Sequence, residues 1–187
     1  MEALLLSTLA ITLAEIGDKT QLLALVLAAR YRRPWPIVAG IAVATLFNHT
    51  LAAALGSWIR TVVAPDVLRW IVAVSFFGVA IWTLIPDKLD ERPDDRRDTH
   101  LGVFGVTALA FFLAEMGDKT QIATAVLGAR YDNLVAVVTG TTLGMLIADV
   151  PVVFAGHLAA HRIPVRVVHV IAAILFAAFG VAMLVGF

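Results

Sequence analysis

Two nearly identical ten-residue stretches lie one hundred positions apart, each inside a segment that is otherwise apolar enough to cross a membrane. The first runs from Leu13 to Leu22 (LAEIGDKTQL) and the second from Leu113 to Ile122 (LAEMGDKTQI). Each contains a Glu, an Asp and a Lys, and such a residue at the centre of a membrane helix costs about 3 kcal/mol on insertion scales. The six residues together cost on the order of 18 kcal/mol on insertion. We therefore expect these charged residues to have a function.

The composition is that of an integral membrane protein. Apolar residues make up 60% of the 187 residues, and the mean hydropathy is +0.91, whereas soluble domains contain roughly 45–50% apolar residues. A formal net charge of zero argues against nucleic acid as a partner. The absence of cysteine excludes disulfides and thiolate metal sites. The amino-terminal segment has no basic region before its apolar run, so we interpret it as a retained first helix.

Six windows have the roughly 20 mostly apolar residues that a membrane span needs. They are residues 3–29, 36–58, 67–85, 101–129, 134–158 and 165–186. We therefore predict an all-α integral membrane protein with six transmembrane helices. The predicted domains are a first three-helix repeat at residues 1–85, a charged cytoplasmic linker at residues 86–100 and a second three-helix repeat at residues 101–187.

The two repeats arise from an internal duplication. Residues 13–31 and 113–131 align without gaps and are identical at 13 of 19 positions, and Gly40 and Gly56 recur as Gly140 and Gly156. Because three spans are an odd number, the second copy must enter the membrane from the opposite side. Two inverted three-helix repeats are typical of secondary transporters.

Basic residues in short loops predict the orientation, since they accumulate on the cytoplasmic side. Nine of them follow spans one, three and five: Arg30, Arg32, Arg33, Lys88, Arg92, Arg96, Arg97, Arg162 and Arg166. The opposite side has Arg60, Arg69 and Arg130. We predict a multi-pass protein of the cell inner membrane with both termini outside the cytoplasm.

Seven ionisable side chains, five acids and two lysines, fall at membrane depth. They are Glu15, Asp18, Lys19, Glu115, Asp118, Lys119 and Asp149. An unbroken helix would place Glu15 and Asp18 on one face with Lys19 beside Glu15. Each motif is thus predicted to be a pair of carboxylates with an adjacent ammonium. Gly17 and its copy Gly117 are expected to let another helix, or a ligand, approach the backbone closely.

Hard divalent cations bind carboxylate, carbonyl and hydroxyl oxygens. If the two motifs face each other, four carboxylates and two lysines sum to a charge of minus two, which one divalent cation neutralises. We predict Glu15, Asp18, Glu115 and Asp118 as the metal ligands. Without metal some of these acids would hold protons, so metal entry would expel protons. The alternative is a structural ion-pair network in which Glu15 pairs with Lys19.

Other polar residues are predicted to support metal binding or proton coupling. Asp149 lies in the fifth window, and the corresponding residue of the first repeat is His49, beside Asn48. Hydrogen bonds between packed helices are the alternative role for these three. The complete supporting set is Lys19, Thr20, Gln21, Lys119, Thr120, Gln121, Asp149, Asn48 and His49.

The motif Glu-x-Gly-Asp-Lys-Thr, present once in each three-span half, resembles the signature of the Golgi-type calcium/manganese–proton exchanger family. That family is grouped with the lysine-exporter-like superfamily, and its bacterial members resemble manganese exporters. The resemblance covers essentially the whole chain. It implies cation transport against protons, with Glu15, Asp18, Glu115 and Asp118 as the metal-binding acids, and removal of excess cytosolic manganese in a bacterial host.

These features predict a secondary active transporter that exchanges a divalent cation for protons and exports the metal from the cytoplasm. The resemblance favours Mn²⁺, while Ca²⁺ accepts the same oxygens. A divalent-cation channel and an intramembrane metal-dependent enzyme are the alternatives. The chain has no HExxH motif and no serine nucleophile elbow, so we predict that it is not an enzyme. The expected partners are the metal ion, protons and the lipid bilayer, without a permanently bound cofactor, and the oligomeric state stays open.

Overall fold

The computed structural model describes residues 1–85, 100–155 and 165–185, and these form eight α-helices. In chain order they are α1 (Glu2–Glu15), α2 (Lys19–Tyr31), α3 (Pro34–Val62), α4 (Pro65–Thr83), α5 (His100–Glu115), α6 (Lys119–Arg130), α7 (Leu134–Ala155) and α8 (Val165–Val185). The predicted all-α class is confirmed. Most of the predicted charged linker, residues 86–99, and Gly156 lie outside the described residues.

Three of the helices are long and apolar enough to cross a membrane: α3, α4 and residues Leu134–Phe154 of α7. Large apolar side chains on their outer faces are exposed, among them Leu46, Leu51 and Leu55 on α3. An apolar exterior of this kind suits lipid and is unusual for a protein surrounded by water. The helices α3 and α4 each begin at a proline, whose missing N–H is not needed in the first turn of a helix.

The first and fourth predicted windows are not single helices. The prediction of one unbroken helix through each motif is therefore wrong. The helix α1 ends at Glu15 and α2 begins at Lys19, and the same break separates α5 from α6. Gly17 has a φ of 84° and Gly117 a φ of 74°, a left-handed conformation that residues with a Cβ rarely adopt. Each motif therefore lies at a turn between two half-helices.

The halves on either side of the linker are interleaved. The helix α1 packs against α7, α5 packs against α3, and α4 packs against α8. A Cβ on Gly140 would lie 2.6 Å from the carbonyl oxygen of Leu4, and one on Gly144 would lie 2.7 Å from that of Thr8. The helix α7 is therefore held directly against α1 at these two glycines.

Candidate cation site

The candidate site forms where the two helix breaks meet. Asp18 is the N-cap residue of α2, and Asp118 is that of α6. The N-terminus of a helix carries a partial positive charge that stabilises a carboxylate. Glu15 and Glu115 end the preceding helices, where the last backbone carbonyls have no partner within the helix. Carboxylate and carbonyl oxygens are therefore concentrated at the two breaks.

The two halves exchange ion pairs at this point. The Nζ of Lys19 lies 3.0 Å from Oδ1 of Asp118, and the Nζ of Lys119 lies 2.6 Å from Oδ1 of Asp18. Within the described part of the chain, Lys19 forms no ion pair with Glu15, so the pairing inside one motif that was considered as the alternative is not observed. The four side chains instead join the first half of the chain to the second.

Hydrogen bonds stabilise both breaks in the same way. The Thr20 hydroxyl donates to Glu15, and the Thr120 hydroxyl donates to Oε2 of Glu115 at 2.8 Å. The N–H of Gly17 donates to Oε1 of Gln21 at 2.8 Å. The N–H of Gly117 donates to Oε1 of Gln121 at 2.7 Å. In this state the threonines orient the glutamates, while the glutamine oxygens accept hydrogen bonds from the turns.

A Cβ at Gly117 would meet no atom within 4 Å. The expectation that this glycine admits a closely packed helix is therefore wrong, and its positive φ explains why glycine stands there.

The acids form one buried cluster. Glu15, Asp18, Glu115 and Asp149 are buried completely, and Asp118 almost so. Glu15 lies within electrostatic range of the other four. Among the described residues, four carboxylate oxygens of the cluster have neither a hydrogen-bond partner nor an ion-pair partner: Oε2 of Glu15, Oε1 of Glu115, and both oxygens of Asp149. Because an unsatisfied buried polar group costs about 1–3 kcal/mol or more, such oxygens call for a ligand.

The side chains are not arranged as a finished coordination shell. Among the described residues, no group of three or more acidic or histidine side chains has the geometry to hold a metal ion. The reason is visible in the contacts, since the lysines occupy Oδ1 of both aspartates and the threonines hold both glutamates. The carboxylates converge, but in this state they serve an ion-pair network.

Asn48 and His49, two further predicted residues, lie on α3 and differ in their hydrogen bonding. The Nδ2 of Asn48 donates to the carbonyl oxygen of Phe112 on α5 at 3.1 Å, which is the helix-packing role weighed from the sequence. His49 is buried completely, and neither ring nitrogen has a hydrogen-bond partner among the described residues.

Sequence reasoning missed the helix break itself, although a local signal was present. Gly followed by Asp is a common way to end one helix and cap the next. The Asp118 side chain caps α6 by accepting from the N–H of Thr120 at 3.5 Å. The break matters for the chemistry because it aims helix ends, as well as side chains, at the same place.

Paired carboxylates and lysines at two broken helices of an apolar helical protein are typical of ion-coupled transporters. The family profile described as divalent cation/proton antiporter GDT1 matches residues 3–91 and 103–186. The chain belongs to the GDT1 family, so the resemblance inferred from the motif is confirmed.

Individual relatives agree with this assignment. The chain is 52% identical over 177 residues to a Vibrio cholerae protein named "Putative manganese exporter", an alignment that covers 94% of this chain and 87% of that protein. It is 32% identical to GDT1-like protein sll0615 of Synechocystis, with 92% of each chain covered. It is 29% identical to GDT1-like protein 5 of Arabidopsis thaliana, covering 92% of this chain and 90% of that one. No solved structure matches the chain significantly.

Proposed function

We propose that this protein exchanges Mn²⁺ for protons and exports the metal from the cytoplasm. The observation that carries the proposal is the reciprocal pairing of Lys19 with Asp118 and of Lys119 with Asp18 beside two buried glutamates. A permanent structural network would be expected to satisfy its acids, whereas one carboxylate oxygen of Glu15 and one of Glu115 have no hydrogen-bond partner within the described part of the chain.

The proposed exchange follows from charge balance. The four motif acids and the two lysines sum to minus two when all are ionised. A divalent cation neutralises that charge, and so do two protons. The cation competes with the lysine ammonium groups for Asp18 and Asp118, while Thr20 and Thr120 keep the glutamates oriented. Binding of metal therefore releases protons, and binding of protons releases metal.

The proposed membrane arrangement has six spans, in which α1 with α2, and α5 with α6, each form one broken span. The two three-helix repeats are residues 1–85 and 101–187, and they are inverted. Support comes from packing that corresponds between the halves, since α1 lies on α7 as α5 lies on α3. The proposed location is the cell inner membrane, with the 86–100 linker in the cytoplasm and both termini outside.

The choice of Mn²⁺ over Ca²⁺ and the direction of transport rest on the relatives. A protein that is 52% identical carries manganese export in its name, and the family description specifies divalent cations and protons. The oxygen ligands of the proposed site accept either ion.

Purified protein in liposomes tests the exchange directly. The vesicles contain a manganese-sensitive dye and a pH indicator, and an imposed pH gradient should drive Mn²⁺ movement with proton movement in the opposite direction. Glu15→Gln and Asp118→Asn should abolish both signals. Glu2→Gln is the matched control, because Glu2 is an exposed acid at the start of α1 and should leave flux unchanged.

Two results would contradict the proposal. Full exchange in both site variants would remove the assigned acids from the mechanism. Mn²⁺ movement that is indifferent to the pH gradient and generates no proton flux would indicate a channel.

A further inference from the structure

We infer that Asp149 is a direct ligand of the transported cation and that it shifts the cation toward the α1 and α7 side of the site, next to Glu15. This inference rests on the proposed function. It concerns a difference between the two halves, because the residue that corresponds to Asp149 in the first half is His49.

The Asp149 side chain is buried without a hydrogen-bond partner in the described part of the chain. It is buried completely, and neither carboxylate oxygen has a hydrogen-bond partner among the described residues. A carboxylate that served helix packing would accept hydrogen bonds from the neighbouring helix, as the carbonyl of Phe112 does from Asn48. The helix-packing role considered for Asp149 is therefore unsupported, and its oxygens are available to a ligand.

The position of Asp149 is next to the first motif. Asp149 is close enough to Glu15 and to Glu115 for its charge to interact with both carboxylates. The residue before Asp149 is tied to the first motif, since Nε2 of Gln21 donates to the carbonyl oxygen of Ala148 at 3.2 Å. One turn earlier, the Thr12 hydroxyl donates to the carbonyl oxygen of Gly144 at 3.2 Å. These contacts hold Asp149 at the level of the first helix break.

The oxygens and the charge of Glu15 and Asp149 suit a divalent cation. Glu15 and Asp149 together offer three carboxylate oxygens that no described residue occupies, and they carry a charge of minus two when ionised. Several carboxylate oxygens close together form the ligand set that a hard divalent cation prefers. His49 contributes a neutral imidazole to the first half, so the corresponding pair of Glu115 and His49 has one negative charge fewer. The cation should therefore sit closer to Glu15.

Titration of the purified full-length chain with Mn²⁺ in detergent tests this inference by calorimetry. Asp149→Asn keeps the shape and removes the charge, and it should weaken Mn²⁺ binding at least tenfold. Asp149→His copies the residue that the chain already carries at position 49, and it should weaken binding to a similar extent. Asp66→Asn is the matched control, because it makes the same change at an exposed acid in the first turn of α4, and it should change affinity less than twofold.

Thermal unfolding separates a ligand from a structural residue. Because Asp149 has no protein partner among the described residues, Asp149→Asn should leave the melting temperature of the metal-free protein unchanged or raise it. The increase in melting temperature that Mn²⁺ produces should shrink, since that increase follows ligand affinity. A structural role predicts the reverse, with a lower metal-free melting temperature and the metal-induced increase retained.

The outcomes distinguish this inference from the proposed function. If Asp149→Asn and Asp149→His bind Mn²⁺ within twofold of the parent protein while Glu15→Gln does not bind, Asp149 is not a ligand and the exchange proposal stands. If the parent protein neither binds Mn²⁺ nor exchanges it for protons, the proposed function fails and the inference fails with it.

Discussion

The two motif segments have nearly the same sequence and the same backbone, yet their side chains lie in different surroundings. Gly17 and Gly117 both have positive φ, and the two capping aspartates have ψ values of 168° and 165°. The Lys19 side chain is 27% exposed, however, whereas that of Lys119 is 0% exposed. Local sequence therefore determines the turn, and the packing of other helices determines the environment of its charges.

The neighbours of the two half-helices explain this difference. The helix α6, which begins with Lys119, contacts α3, α4, α1 and α7, while the main described neighbours of α2 are α7, α5 and α3. The helix α6 packs against four described helices, and its Lys119 is completely buried together with Asp18. The pair of Lys19 and Asp118 retains contact with the surroundings through the lysine.

The largest expected effect comes from removing the enclosed lysine. Lys119→Met should lower the free energy of unfolding by about 3–5 kcal/mol, because it leaves the buried Asp18 carboxylate without its ion-pair partner. Lys19→Met should cost less, about 1–3 kcal/mol, because Asp118 is buried but the Lys19 side chain is partly exposed. Unfolding in mixed micelles by a denaturing detergent measures both. Equal losses would show that the two pairs are equally enclosed.

The threonines should respond alike in the two halves. Thr20→Val and Thr120→Val each remove a hydroxyl that donates to a buried glutamate, and each should cost about 1.5–3 kcal/mol. Thr50→Val is the control, because Thr50 is exposed and donates to Leu46 of its own helix. The same micelle assay applies. A loss confined to one half would mean that only one glutamate depends on its threonine.

The conformation of the turn predicts the next effect. Gly117→Ala should cost about 1–2 kcal/mol, since a Cβ there meets open space and only the left-handed backbone is strained. Gly117→Asn should cost less, because Asn adopts this conformation more readily. Gly105→Ala is the control within α5, where the added Cβ also meets open space. It should stabilise the protein by about 1 kcal/mol, and equal effects at both glycines would contradict the strained turn.

The smallest predicted difference separates the two glutamines. Gln21 accepts from Gly17 and donates to Ala148 of α7, whereas the corresponding described contact of Gln121 is the one from Gly117. Gln21→Leu should therefore cost about 0.5–1.5 kcal/mol more than Gln121→Leu. Unfolding of the two variants side by side checks this. A larger loss for Gln121→Leu would show that α7 does not depend on the bond to Ala148.

Much of the secondary structure could be predicted from hydropathy. The windows at residues 36–58 and 67–85 correspond to α3 and α4, and the predicted start at residue 134 is the start of α7. Long apolar runs without Gly-Asp turns have one conformation available at membrane depth, because only a helix satisfies its backbone internally. The windows that contain the motifs failed as single helices for the same reason, since a positive φ at glycine interrupts that hydrogen bonding.

The burial of the candidate acids was predictable from the sequence, and their ion-pair partners were not. Burial of the four motif acids and of Asp149 agrees with the expectation from their positions in apolar segments. The partner of Lys19 could not be read from spacing, because Glu15 is four residues away in the chain and Asp118 is ninety-nine. Which carboxylate a lysine reaches depends on where two half-helices cross.

The amino-acid sequence alone determined that this chain is an apolar, internally duplicated, helical protein with two sets of acids and lysines, because those properties depend on composition and on interactions between near neighbours. The tertiary structure decided that each lysine binds the aspartate of the other half, that Lys119 is sealed while Lys19 is not, and that Asp149 lies near Glu15. The physical reason is that charges at membrane depth interact through space, so their partners depend on how distant helices pack.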